Sequence, residues 1–504
     1  MSSVVVIGAG LAGLAAACHL TGQGHDVTVV EREDVAGGRN GLMHREGFSF
    51  DTGPTVLTMP DLIADALRAV GSDLSALGPL KKLDPAYRAC YADGSTIMVR
   101  HTREAMRQEI YDTCGSLDAA AFEGFVEWLR KLYLVEMPNF IDVNYNSPLG
   151  LVANPLAAAK LLQLGAFRKL GAAVRSHFRD PRLHRLFSFQ ALYAGLAPEK
   201  ALALYAVITY MDSIEGVYFP EQGMNAVPLA MAQAAEKAGA QFRYGESVEA
   251  VLRSPTGRVA GVRLAGGEAV RADAVVCTLD TPVAYEKLMP ELTPPRAARP
   301  GKGDYSPSAV VWHVGVRGVP SSEATPGERP PVAHHNIHFG EQWDSAFDAL
   351  LDEGRLMPDP SRMVTVHSLD APSLAPEGCS TLYVLEPVPN LDTGRIDWRE
   401  EAPRMRDRLH AFLGEQGYPD DVVVEEMVDP LEWQRQGMAA GTPFALAHTF
   451  AQTGPFRPPN LEKRLPGMFF AGSGTVPGVG VPMVLISGKL AAQRVADYLP
   501  GPTR

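Results

Sequence analysis

Val4-Val5-Val6-Ile7-Gly8-Ala9-Gly10-Leu11-Ala12-Gly13 is an apolar run that closes on glycines in a Gly-x-Gly-x-x-Gly pattern. The spacing predicts a strand over 4–7, a tight turn, and a helix opening near Leu11. A second apolar run, Val27 to Val30, ends on Glu31, eighteen residues after Gly13. Strand, glycine turn, helix, strand and acidic tip within about 30 residues is the signature of a dinucleotide-binding βαβ unit. Gly8 permits the turn, Gly10 lets backbone approach a pyrophosphate, and Gly13 lets the helix pack on the strand. Leu11 and Ala12 are expected to face the same ligand. The helix N-terminus offers free N–H groups and about half a positive charge to the phosphates. Glu31 is placed to accept hydrogen bonds from a ribose diol, and its charge disfavours a 2′-phosphate.

Bulk composition narrows the partners. The 504 residues allow two or three domains, and 46% hydrophobic with 21% charged residues is the balance of a globular protein. A net charge of −12 argues against a nucleic-acid partner. The five cysteines, Cys18, Cys90, Cys114, Cys277 and Cys379, are scattered and form no CxxC, so neither a disulfide framework nor a zinc site is expected, and the compartment should be reducing. A strand beginning by residue 4 predicts no signal peptide, and no run of about 18 uncharged apolar residues predicts a spanning helix. The expected localisation is cytoplasmic.

Further along, the patterns predict helices over Arg103–Cys114, Ala119–Leu134, Ala226–Ala238 and Arg404–Leu413, and interrupted helix over 151–187. Strands are expected at Phe242–Tyr244, Val248–Arg253, Val259–Leu264, Ala274–Cys277 and Val310–Val316, with loops at Pro294–Lys302 and Gly318–Pro331. Three stretches add chemistry. Gly37-Gly38-Arg39 brings backbone and a cation near a phosphate. Phe50-Asp51-Thr52-Gly53-Pro54-Thr55 is a small-residue turn that could line a flat ring. The run Phe469 to Pro482, with glycines at 472, 474, 478 and 480, repeats the strand, glycine turn and helix logic of the N-terminus. Gly480-Val481-Pro482 leaves a helix N-terminus without bulky cover.

These motifs resemble those of the FAD-dependent carotenoid desaturases of the bacterial and fungal phytoene desaturase type, within the wider amine-oxidase-like flavoproteins. Phe50–Thr55 is similar to that family's FDxGPT turn, Phe187–Tyr193 to AFSFQSLY, and Gly216–Met224 to GVWFPEGGM. His334–Ile337 with Phe339-Gly340, and Ser373–Cys379, also match. The Ala471–Pro482 run resembles GAGTHPGAGIP, with Val476 where the family usually has His. The resemblance implies an α/β chain: a Rossmann-like FAD-binding domain of the glutathione-reductase/amine-oxidase type, from 1–85, 216–300 and 456–504, with an inserted α+β substrate domain from 86–215 and 301–455. It implies that Gly8, Gly10 and Gly13 hold the pyrophosphate, Glu31 the ribose, and Gly38 and Arg39 the phosphate region. Val248 would pair the adenine through its backbone. Pro54, Thr55, Gly472, Thr475, Val481 and Pro482 would lie by the ribityl chain and isoalloxazine. No cysteine lies in the closing stretch, so the FAD is expected to be noncovalent.

The implied reaction is the desaturation of a linear carotenoid precursor, phytoene above all, in several successive dehydrogenations toward lycopene. The alternatives are a later-stage carotenoid desaturase, a carotenoid isomerase, or an amine-oxidase-like enzyme. The electron acceptor would be oxygen or a quinone. A long apolar polyene lives in the bilayer, so peripheral association with a membrane surface is expected. Residues 147–188 carry seven Lys/Arg, Arg168, Lys169 and Arg175 among them, against Asp180 alone, and offer a basic docking stretch. Asp212 and Glu215 are the catalytic acid–base candidates, and Asp142 is a further carboxylate near the same segments. His334, His335 and His338 form no recognisable ligand pattern, so no metal is expected.

Overall fold

The computed structural model describes residues 2–147, 149–150, 154–299, 302–321 and 331–499. Parts of three sequence expectations lie outside them: residues 148 and 151–153 of the basic stretch, residues 300–301 of the first Pro/Gly-rich loop and 322–330 of the second.

Ser3–Ile7 is the central strand of a five-stranded parallel sheet. Across that sheet the order is Met468–Phe470, Ala274–Cys277, Ser3–Ile7, Asp26–Val30 and Gln241–Arg243. Strands from three distant parts of the chain therefore build one sheet. Their near-continuous Val, Ile and Phe content suits a parallel sheet buried on both faces. On one face lies the helix Leu11–Gly22, whose Ala12, Ala15 and Ala16 pack on Val481–Tyr498. The approach is close enough that a Cβ on Gly488 would come within 2.3 Å of the Ala12 carbonyl oxygen. On the other side sits a three-stranded antiparallel sheet, Val248–Arg253, Val259–Leu264 and Ala269–Arg271, sharing a core with Val5, Ile7 and Val275.

A second, seven-stranded sheet runs in the order Asp421–Val428, Ser308–Arg317, Cys379–Val388, Arg362–Thr365, His335–His338, Tyr87–Cys90 and Thr96–Val99. Its long strand Ser308–Arg317 turns Val310, Trp312, Val314 and Val316 to one core, beneath the helix Trp398–Gln416, and Ala309 and Val311 to the other face. The expected alternation is present, over a longer strand than the sequence marked. The hairpin Tyr87–Val99 was not expected. It joins this sheet by parallel pairing with His335–His338, some 250 residues on, so no local pattern announces it.

The chain from 103 to 209 is largely helical: Arg103–Cys114, Ser116–Glu136, Pro155–Gln163, Leu170–Arg175, Pro181–Leu186 and Ala206–Thr209. The last runs on into one wide turn, Tyr210–Ile214.

Candidate active site

One cavity of about 1280 Å³ runs from the glycine turns of the parallel sheet to the seven-stranded sheet. It exceeds the roughly 300–1,000 Å³ of an ordinary small-molecule site, and its walls are mainly apolar. Gly8, Gly10, Leu11, Ala12, Glu31, Gly38, Arg39, Pro54, Thr55, Val248, Gly472, Val481 and Pro482 all line it. Gly13 and Thr475 do not.

Gly13 instead supports the turn from behind, since a Cβ there would sit 2.0 Å from the Gly8 carbonyl oxygen. Gly8 has φ +99°, and a Cβ on it would strike the Thr278 hydroxyl. At Gly10 the nearest atom to an added Cβ is the Gly38 Cα, at 3.8 Å, so glycine here keeps open the cavity side. Gly37 donates its N–H to the Ala9 carbonyl (3.0 Å), which ties the second glycine stretch to the first. No side chain caps the N-terminus of Leu11–Gly22, so its first N–H groups remain for a ligand. Glu31 is buried, its carboxylate accepting the N–H groups of Ala9 (2.6 Å) and Glu33 (3.0 Å). Two of about four lone-pair directions are thereby used, which orients the carboxylate without saturating it.

Arg39 has partners that the sequence did not suggest. Its guanidinium donates to Asp280 (2.7 Å) and Ser473 (2.6 Å), and Asp280 also accepts the Ala439 N–H (2.9 Å). The Phe50–Thr55 turn lies against Arg39, where a Cβ on Gly53 would overlap the Arg39 carbonyl oxygen. Asp51 accepts the N–H groups of Met224 (2.9 Å) and Asn225 (3.0 Å), so the FDTGPT and GVYFPEQGM stretches meet at this carboxyl. Burial pushes Asp51 up to about 6. At the closing turn, Thr475 is drawn into a buried network with Asn460, Ser487 and the Gly472 carbonyl rather than into the cavity. Its place is structural support for the turn.

The carboxylates separate sharply. Asp212 lines the cavity, is buried, and neither oxygen has a hydrogen-bond partner. Tyr87, Tyr193 and Gln190 are its polar neighbours, and burial raises it to about 7. Glu215 is exposed and outside the cavity lining: three residues along a wide i→i+5 turn do not return the chain to the same face. Asp142 is ion-paired with Lys489. Glu136, unmarked in the sequence because it ends an ordinary amphipathic helix, lines the cavity and is fully buried without a partner on Oε1.

The histidines divide among separate partners, His334 with Asp370, His335 with Thr365, and His338 with Tyr418. Among the described residues no group of three His, Cys, Asp or Glu is placed to hold a metal ion. The basic stretch is partly consumed: Arg175 pairs with Glu199, Arg182 with Asp180, and Arg185 donates to the Gly340 and Glu341 carbonyls. Among the described residues the side chains of Lys160, Arg168, Lys169 and Arg179 form no ion pair, although the Asp118 carboxylate accepts the Arg179 backbone N–H (2.7 Å).

Comparison with known proteins settles the family. A model of the flavin-containing amine oxidoreductases matches residues 11–496. The chain belongs to that family. Within it the chain falls in the phytoene desaturase group. It is 50% identical over 497 residues to a phytoene dehydrogenase of Streptomyces griseus, covering 98% of this chain and 94% of that one. It is 36% identical to a zeta-carotene-forming phytoene desaturase of Myxococcus xanthus, with the same coverage. Cyclohexylamine oxidase from Brevibacterium oxydans shares the fold, at a TM-score of 0.59 and 18% identity over 98% of this chain and 99% of its own. This flavoenzyme is thus an α/β FAD-dependent oxidoreductase. FAD fits the residues present: glycine-opened backbone at Gly10, an uncapped helix N-terminus and an oriented Glu31 lie along one wall of a cavity with room for a second, apolar occupant.

Proposed function

We propose that this enzyme desaturates a linear carotenoid precursor, phytoene in the first place, in successive steps toward lycopene. The observation that carries this reading is a continuous, mainly apolar cavity joining the glycine turns to a wall of Phe189, Ile337, Phe339 and Trp343, in a chain 50% identical to a phytoene dehydrogenase. Bound FAD supplies the hydride acceptor, and oxygen or a quinone takes the electrons onward. Gly8, Gly10, Leu11, Ala12, Glu31, Gly38 and Arg39 hold its pyrophosphate and ribose, with Gly13 supporting the turn from behind. Val248 meets the adenine, and Pro54, Thr55, Gly472, Val481 and Pro482 hold the flavin end, with Thr475 bracing the turn. The apolar walls orient the polyene and exclude water. Asp212, buried and close to neutral pH in its titration, exchanges a proton with the substrate. The strands of the two sheets support the division into an FAD-binding part, 1–85, 216–300 and 456–504, and a substrate part, 86–215 and 301–455.

The substrate enters from a membrane. Leu156 (83% exposed) and Leu162 (67%) lie on the helix Pro155–Gln163 and Phe167 (45%) just after it, Leu149 (75%) is exposed earlier in the same stretch, and Leu162 and Phe167 also line the cavity. Phe450 and Phe456 are likewise exposed and cavity-lining. Lys160, Arg168 and Lys169 add charge suited to an anionic leaflet. No described helix is long and apolar enough to cross a membrane, and the proposed association is peripheral.

Incubating the FAD-loaded protein with phytoene-bearing liposomes, then recording the visible spectrum of the extract, tests the reading. New long-wavelength polyene bands are expected, and their positions count the double bonds formed. A colourless extract would favour a later-stage substrate or the isomerase alternative.

A further inference from the structure

Arg457 is a guanidinium shut away from water. It is 1% exposed, and its hydrogen bonds go to neutral carbonyls: those of Ser473 (2.6 Å), Thr475 (3.1 Å), Leu446 (3.1 Å) and Gln452 (3.2 Å). Among the described residues no carboxylate forms an ion pair with it. Asp280 acts on its charge from nearby, but Asp280 is already bonded to Arg39 (2.7 Å) and to the Ala439 N–H (2.9 Å). Burial pulls Arg457 down only to about 10, so it stays charged at neutral pH. A buried charge without a counter-ion is costly, and in a native structure it calls for a reason.

Bracing the closing turn is not reason enough. Asn460, three residues on, does that with a neutral amide, donating to the Phe470 and Val476 carbonyls (3.1 Å each) and to the Ser487 hydroxyl (3.1 Å). What Arg457 adds is charge, and it adds it beside the cavity. Ser473 lines the cavity, and so do Thr453, Gly454, Pro455 and Phe456, which lead directly into Arg457. The Ser473 carbonyl accepts from Arg457 while its hydroxyl accepts from Arg39 (2.6 Å). Two cations therefore bear on Ser473, and Asp280 offsets one of them. The helix Val481–Tyr498 begins just beyond, with no side-chain cap and no acidic residue in its first turn, so its N-terminal N–H groups add to the same sign.

We infer that Arg457 is a redox-tuning residue, whose buried charge finds its counter-charge when the bound flavin is reduced. The inference rests on the placing proposed above, with the flavin end of FAD by Gly472, Val481 and Pro482. A hydride carries two electrons and one proton, so it adds one unit of negative charge to the ring system that accepts it. The second hydrogen leaves the substrate as a proton to Asp212. The two electrons and the hydride's proton later pass on to oxygen or a quinone, which restores the neutral ring. Oxidised flavin thus offers Arg457 no charge, and reduced flavin offers one. Away from water that attraction is weakly screened. Arg457 holds the reduced form more tightly than the oxidised form, which raises the potential of the FAD and favours hydride transfer from a hydrocarbon.

The test is the midpoint potential of bound FAD at pH 7, set by equilibration with a redox dye, for wild type, Arg457→Gln and Arg457→Lys. Wild-type FAD should be reduced at a higher potential than free FAD in the same buffer, and a lower potential would overturn the inference. Arg457→Gln keeps an N–H donor and loses the charge. At a fixed solution potential its ratio of reduced to oxidised FAD should fall about tenfold, a midpoint about 30 mV lower. Arg457→Lys keeps the charge and loses most of the donors, and should stay close to the wild-type midpoint. A wild-type midpoint in Arg457→Gln would contradict the role, and weaker FAD binding at that same midpoint would give the charge to the diphosphate instead. Should Arg457→Gln fail to hold FAD, Arg457→Lys decides: a midpoint about 30 mV lower there would make the hydrogen bonds responsible, not the charge, and sink the inference. No phytoene is present in these measurements. Failure of the desaturation reading shows separately, as FAD-loaded protein that leaves phytoene colourless.

Discussion

Asp212 shows what burial does to an ordinary carboxyl. Its carboxyl has lost water and gained no cation, so its charged form is disfavoured and its titration moves up to about 7. A base poised near the working pH is the most effective kind. Asp212→Asn keeps the shape and removes the proton acceptor, and is expected to slow flavin reduction about 100-fold. A wild-type rate in a stopped-flow measurement would remove Asp212 from the reaction. Glu215 was equally visible in the sequence and ends up exposed, because composition and spacing do not report on which side of a wide turn a side chain falls. Glu136 was invisible for the opposite reason: a glutamate at the end of an amphipathic helix reads as solvated until the cavity is seen beside it. The glycines, by contrast, were legible one by one. Gly8 takes the positive φ of the turn, Gly13 packs against it from behind, and Gly10 lines the cavity.

At the scale of elements, what was legible was local. The helix Arg103–Cys114 and the strands Val248–Arg253, Val259–Leu264 and Ala274–Cys277 lie where periodicity put them, because each carries its own pattern and its own stop. The hairpin Tyr87–Val99 was missed because its reason to be extended is a partner far along the chain. The same sheet stores a titratable burden. His313, His335 and His367 are buried, with burial lowering His313 to about 4 and the other two well below their ordinary value. Neither nitrogen of His313 has a hydrogen-bond partner. In the unfolded chain these rings take up protons near pH 6.5, and in the native protein they do not, so each contributes stability that is full above about pH 6.5 and is lost as pH falls toward the native value. Asp51, Asp212 and Glu136 act in the opposite sense, being protonated more readily in the native state. The histidine contribution is therefore read by difference. His313→Phe should narrow the drop in Tm between pH 7.5 and pH 5, by the equivalent of roughly 2 kcal/mol. An unchanged drop would show that His313 is protonated in the folded protein.

Over the whole molecule, the arrangement joins two environments that the reaction must bridge. One end of the cavity is built from backbone that glycine leaves bare, suited to a polar cofactor. Elsewhere its lining includes the exposed side chains Leu162, Phe167, Phe450 and Phe456. The basic stretch suggested by the sequence contributes less than its count, since Arg175, Arg182 and Arg185 are engaged within the protein. Apolar insertion should accordingly dominate docking. Each exposed leucine buried in the interface is worth about 1.5–3 kcal/mol. Leu149→Ser with Leu156→Ser, neither in the cavity lining, should weaken co-sedimentation with anionic liposomes about tenfold or more, and undiminished binding would place the contact surface elsewhere.

The most direct test of the central claim is a single anaerobic turnover. The FAD-loaded protein is mixed with phytoene in liposomes, and the flavin and polyene absorbances are followed together. The account predicts that flavin colour fades in step with the rise of new conjugated bands, one double bond for each flavin reduced. Flavin that stays oxidised with phytoene, yet is bleached by a primary amine, would contradict it.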